Sequence, residues 1–114
     1  MPYSRFRVGA ALRAEDGRVF AGCNVENAAY PVGSCAEAGA IAAMILAGAT
    51  RIAEALVIGD GEGLCTPCGG CRQRLREFAG PDVPVHVAGE QGLRRSFTIG
   101  ELLPASFGPE NLSR

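Results

Sequence analysis

The run from Cys35 to Ala47 narrows the possible folds more than any other stretch. Gly48 closes it as a helix, and Ser34 reads as its N-cap with Glu37 as the capping-box partner three residues on. Ala36, Ala38, Ala40, Ile41, Ala42, Ala43, Met44, Ile45, Leu46 and Ala47 put apolar groups on every side of that helix. A helix without a polar face belongs in a core or at a subunit interface. The rest of the chain must therefore supply protein on more than one side of it.

The flanking segments supply strands. Phe6, Val8, Ala10 and Leu12 alternate with Arg7 and Gly9, the period of a half-buried strand over 6–12. Glu15-Asp16-Gly17 signals a turn, and Val19–Val25 returns as the second strand of a hairpin. Residues 27–34 form a loop broken by Pro31 and Gly33. After the apolar helix, Ala55–Gly59 reads as a short buried strand and 60–67 as a loop. Cys68–Phe78 reads as a second, more amphipathic helix carrying Arg72, Arg74, Arg76 and Glu77. Val83–Val87 is a further strand, and Ser96–Ile99 a last short strand or part of a turn. Thr98 with Glu101 makes a capping box before Leu102 and Leu103, and Pro104 stops that short helix. The order β-β-α-β-α-β-(β) predicts an α/β domain with a mixed sheet and helices on its faces, one domain over 1–114.

Charge and composition exclude several classes. Eleven basic against 12 acidic side chains leave a net charge of -1, with no basic footprint for nucleic acid or an anionic membrane. The segment from Met1 to Arg13 is interrupted by Pro2, Arg5 and Arg7 and does not resemble a signal peptide. No stretch is long and apolar enough to cross a bilayer. The 5 cysteines are an odd number with no secretory context. A reducing cytoplasm suits them better than a disulfide framework.

Cys68-Gly69-Gly70-Cys71, preceded by Pro67, is a C-x-x-C at a helix start. On its own it reads as a redox dithiol or as half of a zinc site. A closed structural site needs four ligands, yet there is no second C-x-x-C and the only histidine, His86, sits in a strand. Cys35 at the start of the other helix, followed by Glu37, supplies the missing chemistry. Three thiolates and one open position make a catalytic metal arrangement in which water takes the fourth place. Two helix N-termini aimed at the metal offset part of the thiolate charge, and Arg72, beside Cys71, is the nearest cation in sequence. Alone, Cys35 would more often be a packing residue and Glu37 a capping carboxylate. The conjunction of Cys-x-Glu with Pro-Cys-x-x-Cys is the signature of zinc deaminases.

With these motifs in place, the chain resembles the cytidine deaminase family, in its small type with three cysteine ligands. The resemblance runs almost end to end: Pro2-Tyr3-Ser4-Arg5-Phe6-Arg7-Val8-Gly9-Ala10-Ala11, then Gly22-Cys23-Asn24-Val25-Glu26-Asn27-Ala28-Ala29-Tyr30, the two metal motifs, and finally Glu101-Leu102-Leu103-Pro104 with Phe107. It implies that Cys35, Cys68 and Cys71 hold zinc. It implies that Glu37 takes a proton from the attacking water and delivers protons to the pyrimidine N3 and the leaving ammonia. By the same resemblance Asn24 and Glu26 bind the ribose 3′-hydroxyl, the Ala36 N–H binds the C2 carbonyl, and the Thr66 carbonyl lies near the amine. Phe6 lines the pocket, and Phe107 reaches the base from a neighbouring subunit of a homotetramer. Without the resemblance, Asn24 and Glu26 read as a polar strand end and the two phenylalanines as core.

The chain departs from the family pattern twice. Ala38 stands where the family commonly has Arg after the catalytic Glu. This sequence begins at the Pro-Tyr-Ser segment, without the helix that precedes it in the family: either the start is truncated or the helix is dispensable, and if it is truly absent, uncovered apolar surface is expected to favour association. Cys23 reads as packing and Cys65 as a loop thiol without a role. The expected activity is deamination of cytidine or deoxycytidine in pyrimidine salvage. The nearest alternative is deamination of a blasticidin-type antibiotic, whose enzymes lack the Asn-x-Glu pair. A polynucleotide substrate would need a basic channel. A non-catalytic zinc module is the rival from another class, and Glu37 speaks against it.

Overall fold

The computed structural model describes residues 1–112. Five strands form one sheet in the order β2-β1-β3-β4-β5. They are β1 (Val8–Ala14), β2 (Val19–Cys23), β3 (Ile52–Gly59), β4 (Pro84–Gly89) and β5 (Gly92–Thr98). Three α-helices accompany them: α1 (Ala36–Leu46), α2 (Gly69–Phe78) and α3 (Ile99–Leu102). β3 and β4 run parallel, joined through α2; every other pair is antiparallel, so the sheet is mixed as expected. No helix among the described residues is long and apolar enough to cross a membrane.

One face of the sheet carries the core. Ala10 pairs with Val57 and Leu12 with Ala55, which in turn pairs with Val85, so these side chains share a face. Against them pack Ala36, Ala40, Ile41 and Met44 of α1, Leu75 of α2, and Ile99 and Leu102 of α3. Leu12, Met44 and Leu75 are fully buried. Each removes enough apolar surface from water to contribute roughly 1.5–3 kcal/mol. The opposite face carries Arg13, Glu54, Leu56, Ile58 and His86, and here Leu56 and Ile58 stay partly exposed. The far side of α1 is also bare: Leu46 is 90% exposed, as a helix without a polar face requires when only one side of it meets the chain's own sheet.

Several boundaries moved, for local reasons. β1 begins at Val8, not Phe6, and runs to Ala14, with a register shift at Arg13/Ala14. β2 ends at Cys23, and Val25 instead makes an isolated bridge with Ser34. That bridge takes up the N–H and carbonyl of Ser34, each bonded to Val25 at 2.9 Å. Ser34 is therefore not the cap; Cys35 is the N-cap of α1, without a side-chain capping bond. β3 begins three residues before the expected Ala55, and β5 is a full strand from Gly92. The capping box of Thr98 and Glu101 is present in both directions, at 3.1 and 2.9 Å.

α1 sits unusually close to β2. A Cβ on Gly22 would lie 2.4 Å from the Ala40 nitrogen and 2.5 Å from the Ala36 oxygen, so only glycine permits this approach. Gly39 faces Gly22 across the same gap, at 3.6 Å from a built Cβ to the Gly22 Cα. This contact sets the position of the α1 N-terminus relative to the sheet edge.

Candidate active site

Cys35 caps α1 and Cys68 caps α2, each with extended backbone angles. Cys71 lies one turn into α2, on the same side as Cys68. The two helix starts meet, and the three sulfur atoms all lie within 4.8 Å of one another. Cys35 Sγ and Cys68 Sγ are 3.9 Å apart. A tetrahedral zinc with Zn–S bonds of about 2.3 Å separates its sulfurs by about 3.8 Å. All five cysteines are free thiols. The donor set therefore fits zinc: soft thiolates, tetrahedral spacing, and three protein ligands rather than four. Zinc is the cofactor of this site.

The three thiols have different surroundings. Backbone N–H donation, first from Cys71 and also from Gly70, holds the Cys68 thiol below its ordinary range. Here the open end of α2 stabilises a thiolate. Burial pushes Cys71 up strongly, with the charge of Glu37 adding to it. Burial also raises Cys35. Cys71 is fully buried, whereas Cys68 is exposed toward the cavity.

A cavity of about 640 Å³ opens in front of Cys35 and Cys68, a size suited to a small molecule. Glu37, Ala36, Asn24, Glu26 and Thr66 all line it. Glu37 is 3% exposed, a buried carboxyl on the cavity wall two residues beyond a metal ligand. No hydrogen-bond donor among the described residues pairs with it. Ala36 is the first residue of α1, so its N–H has no acceptor within the helix.

Asn24 is held by β1: its Oδ1 accepts from the Val8 N–H at 2.9 Å and its Nδ2 donates to the Phe6 carbonyl at 2.9 Å. One amide hydrogen and one lone pair remain for a ligand. Glu26 accepts from the N–H groups of Tyr3 and Ser4 at 3.0 and 3.1 Å. These contacts, the Ser4 side chain foremost, hold its carboxyl below the usual range. Both residues thus pin the N-terminal segment to the cavity rim.

Three expectations need correcting or relocating. Phe6 is not among the residues lining the cavity, although Tyr3 and Ser4 before it are; its ring lies over Gly59 and Gly61. Arg72 does not contact a thiol. Its guanidinium donates to the carbonyls of Pro67 and Leu102, both at 2.8 Å, and to Thr66 Oγ1 at 3.3 Å, tying the loop before α2 to α3. Arg74, one turn beyond Cys71, is the cation at a thiol: its Nη1 lies 3.5 Å from Cys71 Sγ. Phe107 is 58% exposed and outside the cavity lining, with its carbonyl held by Gln73 Nε2 at 2.8 Å.

The structure adds residues that sequence reasoning left without roles. Tyr3 and Tyr30 meet edge to face at the cavity lip, with ring centroids 5.9 Å apart. Both sit within motifs already singled out, but nothing in the spacing pairs them. Cys65 also lines the cavity, packed onto Gly59, and burial raises its thiol.

Comparison with known proteins agrees with this geometry. The family pattern described as the cytidine and deoxycytidylate deaminase zinc-binding region matches residues 1–87. The cytidine deaminase of Sporosarcina psychrophila is 42% identical over 113 residues, covering 99% of this chain and 83% of that protein. That of Mycobacterium tuberculosis H37Rv is 43% identical over 116 residues, covering 100% of this chain and 82% of that protein. The crystal structure of cytidine deaminase from Burkholderia pseudomallei superposes with a TM-score of 0.87 at 44% identity, covering 94% of this chain and 86% of that one. Thiol cluster, buried glutamate, sheet order and these likenesses agree: the chain belongs to the cytidine and deoxycytidylate deaminase family, whose shared feature is a zinc-binding region.

Proposed function

We propose that this chain hydrolyses the exocyclic amine of a cytosine nucleoside, cytidine or deoxycytidine, giving the uracil nucleoside and ammonia. One observation carries the reading above the others: the three sulfurs of Cys35, Cys68 and Cys71 converge beside a cavity whose wall also holds the buried carboxyl of Glu37. When bound there, zinc supplies the Lewis acidity that makes water a nucleophile at neutral pH.

The residues divide the remaining work. Cys35, Cys68 and Cys71 hold the metal. Glu37 takes a proton from the attacking water and gives it to N3 of the ring, which makes C4 electrophilic. As the C4–O bond forms, Glu37 takes the second proton from the hydroxyl added at C4 and gives it to the departing amine, so that the C4 carbonyl forms, the C4–N bond breaks and ammonia leaves neutral. The Ala36 N–H and the Thr66 carbonyl orient the base at its C2 oxygen and its amine. Asn24 and Glu26 take the ribose 3′-hydroxyl with the hydrogen-bonding capacity that the N-terminal segment leaves them. A carboxylate at that position repels a 3′-phosphate, which favours a free nucleoside over a polynucleotide.

The enzyme works as a cytoplasmic homotetramer in pyrimidine salvage on this reading. The bare far side of α1 supports association, and a reducing compartment keeps the three thiols available. Phe107 completes a neighbour's site. Mixing two inactive variants, Glu37→Gln and Phe107→Ala, restores part of the activity if sites are shared. No recovery after proven subunit exchange contradicts the sharing.

Ammonia release from zinc-loaded protein tests the substrate. Cytidine and deoxycytidine should both react, and 3′-deoxycytidine should react more slowly. Faster reaction of blasticidin S would transfer the assignment to that antibiotic class, and no release from any of the four would remove it.

A further inference from the structure

Three thiolates around one divalent zinc leave a net negative charge in the site, and the Cys71 sulfur is fully buried. A buried thiolate away from water needs a compensating donor. Cys68 has the backbone N–H groups at the start of α2. Cys71, within that helix, has no such amide; the donor at its sulfur is Arg74 Nη1, 3.5 Å away.

We propose that Arg74 is a positioning residue of the metal centre, which neutralises the Cys71 thiolate and so tightens zinc binding. The inference rests on the three-cysteine zinc reading above. Other guanidiniums near the site are committed elsewhere. Arg72 serves two carbonyls and a hydroxyl, and Arg76 serves Ser106 and Glu110. Among the described residues no carboxylate lies within ion-pairing distance of Arg74. Its charge is therefore free for the sulfur.

The spacing of the motif serves the same contact. Arg74 follows Cys71 by three residues on α2, which brings the two side chains to one face of the helix. A Cβ at Gly70 would come within 3.3 Å of Arg74 Nη1, closer than carbon and nitrogen ordinarily approach. A larger residue at that position would require the guanidinium to give by a few tenths of an ångström.

The test uses the full chain and zinc itself. Zinc affinity is measured by competition with a chelator of known strength for wild type, Arg74→Gln, Arg74→Ala and Arg74→Lys. The cobalt(II) forms are compared by their thiolate-to-metal charge-transfer band. Loss of an interaction one shell out from a metal weakens binding by about 10- to 100-fold. Arg74→Gln should therefore bind zinc at least about tenfold more weakly. Its cobalt band should move to longer wavelength, because a sulfur without a cationic donor gives up electrons more readily. Arg74→Lys should recover part of both effects, and thermal unfolding of the metal-free chains should be alike. If Arg74→Ala does not fold, Gln and Lys carry the comparison. Wild type binding one zinc while Arg74→Gln binds it equally tightly, with an unmoved band, overturns this inference alone. Wild type binding no zinc overturns the three-cysteine reading and this inference with it.

Discussion

At the scale of single residues, Glu37 is where chemistry and burial meet. A carboxyl 3% exposed, on the wall of a cavity and beside a metal ligand, is suited to moving protons rather than to capping a helix. Glu37→Gln keeps the shape and removes the proton shuttle. Turnover should fall by about 10² to 10⁴, with one zinc still bound, as read by steady-state rates and metal analysis. Near wild-type rates would contradict the role. The ligands and Glu37 were legible in sequence because their chemistry is written into short spacings at two helix starts. The cation was not. Arg72 is next to Cys71 in sequence, but adjacent residues on a helix diverge by about 100°, whereas a residue three further on returns to the same face. Arg72 therefore points to Leu102 and Pro67, and Arg74 to the sulfur. Phe6 falls outside the first strand for a related reason: alternation locates a strand without fixing where its ladder begins, here at Val8.

At the scale of elements, the site depends on how closely α1 lies on β2. Gly22 meets the backbone of Ala36 and Ala40, the first turns of the helix that bears Cys35 and Glu37. Gly22→Ala puts a methyl 2.4 Å from a backbone nitrogen, which no rotamer change relieves. The helix must shift, at a cost of about 1–3 kcal/mol or more, and the Cys35 sulfur must move away from the α2 pair. Thermal unfolding should show the lost stability, and zinc affinity should fall with it. Unchanged affinity would mean that the helix start is held by other contacts. The order of elements was readable from periodicity, turn residues and the Thr98–Glu101 capping box. What periodicity missed depends on partners distant in sequence. Ser34 lost its capping role to a bridge with Val25, and β5 extends back to Gly92 because it pairs with β4 along its whole length.

At the scale of the whole molecule, metal and fold are linked. Cys35 caps α1, Cys68 caps α2 and Cys71 lies within α2, so zinc joins two elements that otherwise touch only lightly. Binding to the folded state alone raises stability, by about 4.1 kcal/mol when free zinc is a thousandfold above its dissociation constant. Removing zinc with a chelator should lower the unfolding midpoint and release thiols. Before removal, a thiol reagent should find only Cys23 and Cys65; afterwards, Cys35 and Cys68 should react as well, and the buried Cys71 only as the chain opens. Five reactive thiols in the zinc-loaded protein would contradict the ligand set. The central claim, that this thiol-held zinc and Glu37 together deaminate a cytosine nucleoside, is tested most directly by following ammonia release from cytidine by zinc-loaded wild type and Glu37→Gln at equal metal content. The account predicts rapid release from the first and a loss of about 10² to 10⁴ in the second. No release from zinc-loaded wild type, or equal release from both, would contradict it.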